Sequence, residues 1–198
     1  ATGLEIFPLC LGGNVFGWTA NEAESFKVLD AFAEAGGNFI DTADVYSEWK
    51  DGNKGGESET IIGSWLKKRN NRSEIVIATK VAKLSTRPGL KASNIKAAVD
   101  DSLKRLQTDY IDIYYAHEDD QTTSLEETLQ AFTEIIESGK VRYIAASNYS
   151  APRLEEALKI SRDNNLAQYI AVQNHYNLLE RKEYESTMVP TMQKYGIS

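Results

Sequence analysis

The sequence predicts an α/β protein built on a parallel, buried sheet. Short apolar runs alternate with amphipathic segments from one end of the 198 residues to the other, at about thirty residues per repeat, the size of one βα unit. Polar and ionisable residues gather at the C-terminal ends of the apolar runs, where ligands bind in both barrels and open parallel sheets. Periodicity alone fits either of those architectures.

The elements follow in chain order. Leu9 to Leu11 forms the first strand candidate, and Asn21 caps a first helix whose stripe is Phe26, Leu29 and Ala33, closed by Gly36 and Gly37. Asn38 to Asp41 is the second strand, and Ile61, Trp65 and Leu66 mark the second helix. Ile75 to Lys80 is the third strand, followed by Ile95, Val99, Leu103 and Leu106 at helical spacing. After a fourth strand over Ile111 to Tyr115, Ser124 and Glu127 read as a capping box opening a helix that buries Leu125, Leu129, Phe132 and Ile136 and ends at Gly139. Val141 to Ser147 is the fifth strand. Ser150 opens the fifth helix, with Pro152 in its first turn and Leu154 and Leu158 buried. Ile170 to Gln173 is the sixth strand, and a sixth helix is expected over Met188 to Tyr195. Gly196 to Ser198 reads as a turn entering a seventh strand. A barrel stopped there exposes two unpaired strand edges, so further residues are expected in the natural protein.

Composition removes several classes of function. The net charge of -7 provides no basic footprint for nucleic acid or an anionic membrane. No apolar run approaches the ~20 residues that span a bilayer, and no basic leader precedes an apolar block; a cytoplasmic protein is expected. The single cysteine, Cys10, lies between Leu9 and Leu11 and is expected to be an inert core thiol.

The chemistry clusters at one rim. Asp41 ends the second strand, Lys80 the third, His117 follows the fourth, Ser147 and Asn148 end the fifth, and Gln173 and Asn174 end the sixth. No Gly-x-Gly-x-x-Gly follows the first strand, so the dinucleotide fingerprint of open sheets is absent. Neighbouring parallel strands lie about 4.8 Å apart, which lets Asp41 and Lys80 pair. An ammonium beside Tyr46 would stabilise its phenolate and make it a better acid. A structural Asp–Lys bridge beside an ordinary surface tyrosine fits the spacing equally well.

Five collinear segments carry a resemblance. NFIDTADVY at Asn38 to Tyr46, ATK at Ala78 to Lys80, DYIDIYYAH at Asp109 to His117, GKVRYIAASNYS at Gly139 to Ser150 and VQNHYNLLER at Val172 to Arg181 are together similar to the aldo-keto reductase family. The resemblance implies a (β/α)8 TIM barrel, with the sequence ending near the start of strand seven, and one domain over residues 1–198 lacking its C-terminal part. It implies an NADP-dependent enzyme reducing aldehydes or ketones. Tyr46 would be the general acid, Lys80 would lower its pKa, Asp41 would orient Lys80, and His117 would hydrogen-bond the substrate oxygen. Ser147, Asn148 and Gln173 would hold the nicotinamide amide. NADPH is the expected form, with NAD left open because the segments that grip the adenosine phosphate are not among these residues. Trp18 and Trp49 fall where the family places aromatic walls of the substrate pocket. Glu118, Asp119 and Asp120 depart from the commoner pattern after the histidine, and Asp112 reads as a buried structural acid. Residues 51–56 read as a flexible polar turn.

Two alternatives stand beside this reading. The first is a regulatory, cofactor-binding subunit resembling potassium-channel beta subunits, with little turnover. The second is a metal-dependent hydrolase using Asp41, His117, Glu118 and His175, although no paired ligand motif supports it.

Overall fold

A computed structural model describes residues 2–198. Six parallel strands lie in the order β1 to β6: Leu11–Gly12, Phe39–Asp41, Val76–Val81, Ile111–Ala116, Val141–Ser147 and Tyr169–Gln173. Sequential neighbours throughout are the order of a barrel wall, whereas a doubly wound sheet reverses its strand order. The six units therefore form a partial (β/α)8 barrel. Ser198 extends the wall: its N–H donates to the Ile170 carbonyl at 3.1 Å and its own carbonyl accepts from Val172 N at 2.7 Å, as a parallel neighbour of β6 does.

The helices pack outside this wall: α1 Glu22–Glu34, α2 Glu57–Arg69, α3 Ala92–Leu106, α4 Leu125–Glu137, α5 Ala151–Asp163 and α6 Val189–Tyr195. Asn21 caps α1 in a complete capping box with Glu24, and Ser150 caps α5 with Pro152 inside the first turn. The box expected at α4 is half formed. Ser124 accepts from Glu127 N, but the Glu127 carboxylate instead accepts from Ala92 N at the start of α3 and ties the two helices together. A π turn over Tyr184–Met188 precedes α6.

Side-chain alternation along the strands divides the core. Outward residues such as Ile77, Val81, Tyr114 and Ile144 join the helices in the main core. Inward residues Val76, Ala78, Ile113, Tyr115 and Ala145 fill the lumen. Asp41, Lys80, His117, Ser147 and Gln173 share the inward parity and continue these rows to the C-terminal rim, where register sets Lys80 beside Tyr115 and Ser147 beside Gln173.

Cys10 corrects an expectation. It is exposed, as is Leu9, in the segment just before β1 begins at Leu11.

Candidate active site

Tyr46 sits in the turn after β2, and that turn is held from three sides. Ser47 adopts a left-handed conformation (φ 73°), and its hydroxyl donates to the Phe16 carbonyl at 2.7 Å. Asn53 Nδ2 donates to the carbonyls of Ser47 at 2.8 Å and Gly17 at 3.1 Å. The segment expected to be a flexible turn thus contributes the clamp that fixes the tyrosine loop to the first βα loop. Tyr46 itself is half-buried.

Lys80, fully buried at the end of β3, is the hub. Its Nζ donates to Asp41 Oδ2 at 2.6 Å, to the Tyr46 hydroxyl at 2.9 Å and to the Thr42 carbonyl at 2.9 Å. All three ammonium protons have partners. The Tyr46 hydroxyl donates to the same Asp41 oxygen at 3.2 Å. Burial pushes Lys80 below its ordinary value against the opposing pull of Asp41. Burial and the Asp41 charge raise Tyr46 well above the usual phenol range, while the ammonium 2.9 Å away acts in the opposite sense. The phenol is held protonated.

His117 completes the group. Its ring meets the Tyr46 ring edge-on at 5.9 Å, and its backbone N–H is anchored on the Val81 carbonyl at 2.9 Å. Burial, reinforced by Lys80 and Lys83, pushes the imidazole down to about 3, so it is neutral at physiological pH. Its Nδ1 is buried with no partner among the described residues. Trp18 and Trp49 are half-exposed and stack edge-to-face at 5.7 Å, and Trp49 meets Tyr46 at 6.1 Å. An aromatic path therefore runs from solvent to the tyrosine hydroxyl.

The three residues expected to hold a nicotinamide amide are also adjacent. Ser147 Oγ donates to the Gln173 carbonyl at 2.7 Å, and Asn148 Nδ2 donates to Ser147 Oγ at 3.0 Å and to the His117 carbonyl at 2.8 Å. Asn148 takes a left-handed conformation (φ 56°) that turns its side chain back toward β4. Its Oδ1 and Gln173 Oε1 accept no hydrogen bond among the described residues, which leaves a donor-and-acceptor set suited to a carboxamide.

Residues of the metal-ligand alternative do not converge. His175 is exposed and pairs with Glu180 at 2.8 Å, while Glu118 pairs with Lys83 at 3.3 Å. Among the described residues, no three such side chains stand together in a way that could hold an ion. Among the described residues, no helix is long and apolar enough to cross a membrane.

Two features near the site escaped sequence reasoning. Thr42 acts through its carbonyl, which leaves no trace in residue type. Asp44 lies in the tyrosine motif and is 1% exposed, with both carboxylate oxygens lacking a partner among the described residues. A second acid three residues after Asp41 was its available signal.

The family model described as the aldo/keto reductase family matches residues 8–198. Norsolorinic acid reductase of Aspergillus flavus is 34% identical over all of this chain and 53% of its own length. An aryl-alcohol dehydrogenase of Pestalotiopsis microspora is 35% identical, covering 98% of this chain and 53% of its own. An uncharacterized oxidoreductase of Bacillus subtilis is 35% identical over 99% of this chain and 62% of its own. The chain spans about half the length of most curated relatives it matches, and it belongs to the aldo/keto reductase family.

Proposed function

We propose that this chain carries the proton-donating core and the nicotinamide-amide subsite of an NADPH-dependent reductase of aromatic aldehydes or ketones. One observation carries the reading: a protonated tyrosine hydroxyl lies 2.9 Å from a buried lysine and 3.2 Å from its aspartate, under an aromatic path to solvent. Reduction places negative charge on the substrate oxygen. Tyr46 gives that oxygen its proton, because an alkoxide is a stronger base than a phenolate. The Lys80 N–H already aimed at Tyr46 then stabilises the phenolate without reorganisation. Asp41 keeps Lys80 oriented and balances its charge. Neutral His117 offers the substrate oxygen one N–H and adds no net charge to the pocket.

Ser147, Asn148 and Gln173 would hold the nicotinamide amide. When bound, the nicotinamide supplies the hydride. The choice of NADPH follows the family resemblance. The aryl preference follows the paired indoles and the relative named an aryl-alcohol dehydrogenase.

The test is Tyr46→Phe assayed with NADPH and benzaldehyde. Turnover should fall about 10²- to 10⁴-fold, the usual share of a general acid, while NADPH binding read by fluorescence stays near the unsubstituted value. Undiminished turnover in the variant would remove Tyr46 from the acid role.

A further inference from the structure

The Gln173 side chain has a bond that gripping a cofactor does not require. Its Nε2 donates to Asp41 Oδ1 at 3.2 Å across the lumen, between strands that share no edge and residues 132 apart in the chain. The other Asp41 oxygen serves Lys80 and Tyr46. Through its carbonyl, Gln173 is held by Ser147 Oγ at 2.7 Å and Asn148 N at 3.3 Å. Asn148 reaches back to the His117 carbonyl, and the His117 ring returns to Tyr46. Proton donor and amide subsite are thus linked in one ring of contacts, and the Gln173–Asp41 bond closes it.

We propose that Gln173 and Asp41 position each other. An amide can present either end to its surroundings, but an ionised carboxylate only accepts. Asp41 therefore pins Gln173 with Nε2 inward, leaving Oε1 free to accept from the N–H₂ of a bound carboxamide. In return, the Gln173 N–H holds the Asp41 carboxylate so that Oδ2 meets both Lys80 and Tyr46. Binding at the amide subsite and the setting of the proton donor are therefore coupled. This inference rests on the reading that a nicotinamide amide docks on Ser147, Asn148 and Gln173.

A double-mutant cycle on NADPH affinity, read by fluorescence without turnover, tests it. Asp41→Asn removes the obligate acceptor and should weaken NADPH binding about threefold or more when Gln173 is present, with little effect in a Gln173→Leu background. Additive effects overturn the coupling and leave the cofactor reading standing. A Gln173→Leu change that leaves NADPH affinity untouched overturns both. Should the variants unfold, the ¹⁵N-labelled side-chain amide of Gln173 in the unsubstituted chain carries the same question. One slowly exchanging Nε2 proton supports the bond to Asp41, and two freely exchanging protons overturn it.

Discussion

Two carboxylates at opposite rims of the barrel have opposite characters. Asp112, at the N-terminal end of β4, is 1% exposed and fully satisfied: Oδ2 accepts from Arg72 at 2.7 Å and Ile77 N at 3.0 Å, and Oδ1 accepts from Arg142 at 2.8 Å. Both guanidinium groups lie against Tyr110, at 3.9 and 4.1 Å. At the C-terminal rim, Asp41 is also satisfied, but its surroundings are not. Among the described residues, His117 Nδ1 and both Asp44 oxygens are buried without partners, and burial displaces Tyr46, Lys80 and His117 from their ordinary protonation ranges. Ion pairs occur at both ends, so pairing alone does not identify chemistry. Buried unpartnered atoms also occur at both ends, Asn71 Oδ1 next to Arg72 among them. What sets the C-terminal rim apart is that burial displaces the grouped residues themselves, on the rim where barrels bind ligands.

The largest effect separates the rims by stability. Asp112→Ala leaves the Ile77 N–H without its acceptor and takes the carboxylate from Arg72 and Arg142, and should cost about 3–5 kcal/mol in urea unfolding, the range for breaking a buried pair. NADPH affinity of the folded fraction should be unchanged. Weakened binding there would show that the two rims are not independent.

Much of this contrast was legible in residue order, and the exceptions share a cause. The caps at Asn21 and Ser150 are local, and the structure contains both. Lys80 and His117 follow from strand parity and the motifs around them. The failures depend on distant partners. Glu127 left its expected box because α3 offers the Ala92 N–H. The Gln173–Asp41 bond requires the sheet to curl until residues at opposite sides of the mouth meet, which no spacing rule encodes.

A second prediction concerns pH, where two groups at the C-terminal rim oppose each other. Burial and neighbouring Glu59 push Asp44 up to about 7, against partial relief from Arg105 and Arg87. Folded Asp44 keeps its proton above the unfolded value near 4, so its contribution to stability falls as pH rises from about 4 to about 7. His117 runs the other way. Its folded value of about 3 lies below the unfolded value near 6.5, so its contribution is complete above about 6.5 and is lost as pH falls. The spans amount to at most about 4 kcal/mol for Asp44 and about 5 kcal/mol for His117, at 1.36 kcal/mol per unit, and over their shared range the slopes cancel. Asp44→Asn should therefore expose the His117 slope, giving a melting temperature that drops as pH falls from about 6.5 to about 4. His117→Gln should expose the Asp44 slope, with the melting temperature dropping as pH rises over the same range. Flat melting profiles in both variants would return Asp44 to the ordinary carboxylates.

The smallest effect asks whether the C-terminal rim distinguishes substrates by shape, as the proposed function requires. Trp49 is half-exposed, so its truncation removes little packing from the core and should hardly move the melting temperature. Its ring nevertheless bridges Trp18 and Tyr46 in the path to the hydroxyl. Aromatic pairs contribute about 0.5–1.5 kcal/mol beyond burial, so Trp49→Ala should raise KM for an aryl aldehyde by about two- to tenfold while leaving kcat near its starting value. A short aliphatic aldehyde has no ring to stack, and its KM should hardly respond. Equal losses for the two substrates would make Trp49 a cover over the barrel mouth instead of a wall of the pocket. A fall in kcat would instead mean that the indole holds Tyr46 in place.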